Sequence, residues 1–137
     1  MKTLIILRGV SGSGKSSVAS WIKQSTSNWK TLVCSADDYF INSKGEYVFE
    51  QSKLKDAHAH CMKTFKSAVE VEMDTIVLSN TNTSPWEFEE YEKHAKENGY
   101  TVFHLVVENR HGNSNVHGCP SDVQAAQRKR LLESLSL

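Results

Sequence analysis

The run Gly9-Val10-Ser11-Gly12-Ser13-Gly14-Lys15-Ser16 has residue types and a spacing that point directly to chemistry. It satisfies G-x-x-x-x-G-K-[ST], with a short apolar segment before it and helical spacing after it. Glycines let the backbone curl until successive N–H groups converge on phosphate oxygens. A helix starting behind the loop adds unpaired N–H groups and the positive end of its dipole. Lys15 brings a full charge to the β- and γ-phosphates, and the Ser16 hydroxyl is placed to ligate Mg²⁺. Gly9, Ser11, Gly12, Ser13, Gly14, Lys15, Ser16 and Ser17 are therefore the candidate nucleotide-binding residues, with ATP and Mg²⁺ as the implied ligands.

Three further segments carry groups of the kind that phosphoryl transfer uses. Ser35-Ala36-Asp37-Asp38-Tyr39-Phe40 sets two adjacent carboxylates behind a short apolar run. One can take the proton of an acceptor hydroxyl, and the other can orient hydrated Mg²⁺ or the acceptor. Asp37 is the candidate base and Asp38 a candidate acceptor contact. A solvated Asp-Asp turn is the plainer alternative. Ser79-Asn80-Thr81-Asn82-Thr83 offers Asn80, Thr81 and Asn82 to an acceptor, or equally forms a cap-and-turn segment. The stretch Glu108–Gly118 is polar and rich in glycine and asparagine, and it holds Arg110, His111 and His117. Arg110 is the candidate cation for the transferring group.

These segments need elements to hold them. Thr3–Leu7, Thr31–Cys34, Thr75–Leu78 and Tyr100–Val107 read as strands. The last is nearly continuous in hydrophobics, as in a parallel strand covered on both faces. Ser16–Ser25 has helical spacing, and Glu50–Val69 puts Leu54, Ala57, Cys61, Phe65 and Ala68 on one stripe. Ser84-Pro85-Trp86-Glu87 has the form of a capping box with proline at the first helical position, and Asn98-Gly99 ends that helix. Ser121 and Gln124 form a second capping box before a final helix. Strands alternating with helices imply right-handed βαβ units, and ligands then bind at the carboxyl ends of the strands.

The chain has 137 residues, 39% hydrophobic and 23% charged, which suits one domain spanning 1–137. Its apolar runs are far shorter than the roughly 20 residues of a membrane span. Three cysteines without a C-x-x-C pair suggest neither a disulfide framework nor a zinc site, and a cytoplasmic location is expected. The net charge is zero, but residues 1–36 hold five Lys or Arg and no acid, while residues 37–99 hold thirteen acids against seven lysines. A basic first third suits a phosphate ligand. The neutral whole argues against a broad nucleic-acid surface.

The ordered set of Gly9–Ser16, Ser35–Phe40, Gly45–Phe49, Ala57-His58-x-x-Cys61, Ser79–Thr83 and Asn115-Val116-His117-Gly118 resembles the P-loop kinase-like domain of 2′,3′-cyclic-nucleotide 3′-phosphodiesterase. That domain in turn is similar to the 5′-kinase domain of phage polynucleotide kinase. The resemblance implies a three-layer α/β P-loop NTPase/kinase fold with a parallel sheet of about four strands. It also implies transfer of the γ-phosphate of ATP to a 5′-hydroxyl, with Asp37 as general base and the Asn80–Asn82 segment beside the acceptor. The implied partners are a nucleoside triphosphate and the 5′ end of a single-stranded nucleic acid or a nucleoside. The phage enzyme has arginine where Phe40 stands. None of the six histidines is followed two residues on by Ser or Thr, so the phosphodiesterase motifs are absent. Two other readings fit the same residues: a kinase for another small hydroxyl compound, and a nucleotide-binding or hydrolysing module without transfer.

Overall fold

The computed structural model describes residues 1–26, 30–108 and 119–135. Four strands, β1 (Thr3–Arg8), β2 (Thr31–Cys34), β3 (Thr75–Ser79) and β4 (Thr101–Val106), form one parallel sheet in the order β2-β3-β1-β4. Four helices follow them in turn: α1 (Lys15–Ser25), α2 (Leu54–Glu70), α3 (Glu89–Glu97) and α4 (Ser121–Leu135). The expected α/β architecture with a four-stranded parallel sheet is what the chain adopts.

The strand order fixes the layers. From β1 to β2 the chain moves one way across the sheet; from β2 to β3, and from β3 to β4, it moves back. Right-handed crossovers therefore put α1 on one face and α2 and α3 on the other. Strand alternation feeds both faces. Leu4, Ile6, Ile76 and Leu78 meet Ala57, Cys61 and Phe65 of α2 and Tyr91 and Ala95 of α3 in the larger core. Leu7 and Val77 meet Ala19 of α1 in the smaller one, with Ile5, Val18 and Ile22 beside them.

Two local expectations need correction. β4 is not covered on both faces: it lies at the sheet edge, with Phe103 51% and Leu105 43% exposed. Its apolar run is that of an edge strand. The Ser84–Glu87 capping box forms, but it opens a 3-10 turn over Pro85–Glu87, and α3 starts at Glu89. Among the described residues, no helix is long and apolar enough to cross a membrane.

Candidate functional site

All three loops singled out in the sequence and described in the structure leave the carboxyl ends of neighbouring strands. The phosphate loop follows β1, the acidic turn follows β2 and the polar run follows β3. Because β3 lies between β1 and β2, its loop braces both others. Gly9 N–H donates to Thr81 O at 2.9 Å. Ala36 N–H donates to Asn80 Oδ1 at 2.8 Å.

The phosphate loop has the backbone its glycines permit. Gly14, at the head of α1, has φ 106°, where a side chain would be strained. A Cβ on Gly9 would stand 2.5 Å from Val107 O and 2.6 Å from Ser13 Oγ, so no larger residue fits. The first turn of α1 has no side-chain cap and no acidic residue, which leaves its N–H groups free for an anion. Ser13 is buried, and its hydroxyl has no hydrogen-bond partner among the described residues. Ser16 and Ser17 are exposed at the start of α1. These features fit a bound polyphosphate, and Ser16 Oγ is the group that would hold Mg²⁺.

Lys15 folds back over the loop. Its Nζ donates to Gly9 O and Val10 O, both at 2.9 Å. Burial lowers its pKa from 10.5 to about 8, opposed in part by the charges of Asp37, Cys119 and Glu87. Lys15 and Asp37, far apart in sequence, are thus within electrostatic reach of each other. Ser11 differs from the expectation. Its N–H donates to Gln127 Oε1 at 2.9 Å, so this donor is engaged by α4 and not turned to a phosphate.

The acidic turn is a 3-10 segment over Ala36–Phe40, capped when Ser35 Oγ accepts from Asp37 N–H at 3.2 Å. Asp37 Oδ1 accepts from the Tyr47 hydroxyl at 3.3 Å. Tyr47 reaches it from a small flap in which Ile41 and Tyr47 form an antiparallel bridge closed by an Asn42–Gly45 turn. Burial and the neighbouring Asp37 carboxylate push the Tyr47 phenol up to about 12, so it stays a donor at neutral pH. Asp38 is exposed on the turn, and local desolvation followed by the Asp37 charge raises its pKa, with His60 opposing. Phe40 is buried in the core, whereas Tyr39 remains partly exposed against the His60 ring.

The polar run after β3 is mostly turned inward. Asn80 serves the backbone of the acidic turn, and its Nδ2 faces Cys61 Sγ at 3.6 Å. Asn82 has 0% exposure and φ 48°, and its Nδ2 donates to Leu7 O at 2.8 Å, so its side chain forms the floor of the loop instead of facing an acceptor. Thr81 and Thr83 hydroxyls donate to the two oxygens of Glu87, at 2.9 and 2.8 Å. Glu87 also accepts from Ser84 N–H at 2.8 Å. The sequence marked Glu87 only as a cap, and Tyr47 only within a family motif; both belong to the site. Arg110, with His111 and His117, lies outside the described residues.

The family model for the AAA domain matches residues 4–135. Human NEDD4-binding protein 2 is 34% identical over 99 residues, which is 72% of this chain and 5% of that protein. The chain therefore spans a small part of that relative's length. Chaetomium thermophilum Kti12, solved in complex with ADP-AlF3, has a similar fold with TM-score 0.60 and 16% identity, over 93% of this chain and 79% of that one. The Mycobacterium tuberculosis APS kinase CysC, as a Cys556Ala mutant, gives TM-score 0.56 at 16% identity, covering 97% and 98% of the two chains. The fold is that of P-loop kinases.

Proposed function

Since the chain belongs to the AAA domain family, we propose that it transfers the γ-phosphoryl group of ATP to a hydroxyl, most simply the 5′-hydroxyl of a single-stranded polynucleotide or a nucleoside. One observation carries this reading. A half-buried lysine of a phosphate loop and an aspartate on the neighbouring acidic turn share one electrostatic environment at the mouth of the sheet. A module that only binds nucleotide needs the lysine but has no use for a carboxylate base.

The phosphate loop and the head of α1 hold the polyphosphate through N–H groups, and Lys15 neutralises charge on it. Mg²⁺, held from Ser16, supplies charge neutralisation between the phosphates when bound. Asp37 accepts the proton of the acceptor hydroxyl while the acceptor oxygen bonds to phosphorus and the bridging bond to ADP breaks. Tyr47 donates to Asp37 Oδ1 and so helps to orient the carboxylate. Arg110 supplies charge to the transferring group. The order of the motifs resembles that of polynucleotide 5′-kinases, which supports the acceptor class. The zero net charge of the chain suits a short or single-stranded acceptor.

The test is a transfer assay with γ-labelled ATP and Mg²⁺ against 5′-hydroxyl DNA, 5′-hydroxyl RNA, nucleosides and 3′-nucleotides. Asp37→Asn should bind ATP as the wild type does and lose about 10²–10⁴-fold in transfer. Release of free phosphate with no labelled acceptor would refute transfer. An unimpaired Asp37→Asn would remove Asp37 from the chemistry.

A further inference from the structure

Gln124 has the spacing to close a capping box with Ser121, and it does something else. α4 begins at Ser121 itself, and Gln124 Nε2 reaches out to Ser11 O at 2.7 Å. One turn on, Gln127 Oε1 accepts the Ser11 N–H at 2.9 Å. Side chains at i and i+3 share a helix face, so one helix holds both backbone groups of a single phosphate-loop residue. Gln127 is buried to do so.

The rest of α4 is attached in a similar way. Ser134 Oγ accepts from the Arg8 guanidinium at 2.6 Å, and Arg130 Nε faces Thr83 Oγ1 at 3.4 Å. Arg8 Nε in turn donates to Asn82 O at 2.9 Å and lies over the Phe88 ring. Among the described α4 residues, Leu131 is the only buried apolar side chain. The helix is therefore held largely by polar contacts to the end of β1, the phosphate loop and the loop after β3.

We propose that Gln124 and Gln127 are positioning residues for the nucleotide, so that docking of α4 and occupancy of the phosphate loop favour each other. This rests on the nucleotide-binding reading above. Reciprocity is required by linkage: if docked α4 improves the loop for ATP, bound ATP must steady α4 by the same factor. Among the described residues the side chains of both glutamines hydrogen-bond to Ser11, so their effect falls on binding and not on proton transfer at Asp37.

The experiment compares wild type, Gln124→Met, Gln127→Met and the double variant by calorimetry with ATP, by steady-state transfer, and by amide exchange of α4 with and without ATP. Methionine keeps length and volume while removing the hydrogen-bonding groups. With both bonds to Ser11 lost, the double variant should weaken ATP binding by about tenfold or more. KM for ATP should rise by a similar factor while kcat changes less than about twofold. ATP should slow amide exchange in α4 of the wild type, and do so less in the double variant. The single variants give the same readout at half strength should the double variant lose α4 altogether. Unchanged ATP affinity in the variants, or α4 exchange indifferent to ATP in the wild type, would overturn the coupling alone. A wild type that binds no ATP would overturn the nucleotide reading and the coupling with it.

Discussion

Replacing Lys15 by methionine separates the charge of this side chain from its bulk. The ammonium is buried against Gly9 O and Val10 O, and desolvation brings its pKa from 10.5 down to about 8. The folded chain thus binds this proton less tightly than the unfolded chain. Below pH 8 the charged lysine withholds about 3 kcal/mol of stability, which returns as pH rises from about 8 toward 10.5. Between pH 6.5 and 9 the recovered part is about 1 kcal/mol, because the lysine of the unfolded chain is still mostly protonated at pH 9. Lys15→Met has no proton to lose. It also strips donors from two loop carbonyls, at about 1–3 kcal/mol each if they stay unsatisfied, so its absolute stability can lie on either side of the wild type. The pH dependence of the difference is free of that offset. The raised pKa values of Cys34, Tyr47 and Tyr91 are common to both proteins and cancel. Urea unfolding at pH 6.5 and pH 9 should show the wild type gaining about 1 kcal/mol on the variant. A difference constant to within about 0.4 kcal/mol would refute the argument that burial sets the charge of Lys15.

Two further substitutions probe the loops around it. Gly9→Ala drives a methyl group to within 2.5 Å of Val107 O, a backbone atom that cannot swing away. It should cost about 1–3 kcal/mol and lower ATP affinity, read by thermal melting and calorimetry, and a variant with wild-type melting would show that the loop relaxes freely. Asn80→Ala leaves the Ala36 N–H without its acceptor and should cost about 1–3 kcal/mol while lowering kcat through the displaced acidic turn. Its acceptor KM should change less than about threefold, and a selective rise in that KM would instead make Asn80 an acceptor contact.

What the sequence reveals and what it hides divide by range. The phosphate loop was legible because its conformation is a property of eight consecutive residues: glycines fold it and a helix starts behind it. The stripe of α2 was legible for a similar reason, since Ala57, Cys61 and Phe65 face one core. The edge position of β4 was not, because an apolar run has the same appearance whether one or two sides are covered. Gln124 was misread because its partner stands 113 residues away, and a nearby serine offered a local explanation. Tyr47 could have been suspected from the Asn42–Gly45 turn, which folds the chain back toward Asp37.

The polar run after β3 shows how far a local reading can go. A strand end followed by Asn, Thr, Asn and Thr is rich in groups that bind sugars, yet in a parallel sheet that loop stands between two others. Polar groups buried at such a junction, N–H, carbonyl and carboxylate alike, must find partners, and the nearest side chains supply them. Asn80 serves Ala36, Asn82 serves Leu7, and both threonines serve Glu87. The loop is therefore spent on holding the phosphate loop and the acidic turn at a fixed spacing. The transfer proposed above would use groups that this scaffold presents: Lys15 and Ser16 on one side, Asp37 and Asp38 on the other. In that proposal the acceptor enters between the two sides, and two hydrogen bonds, Gly9 N–H to Thr81 O and Ala36 N–H to Asn80 Oδ1, tie the loops that carry them to the loop after β3.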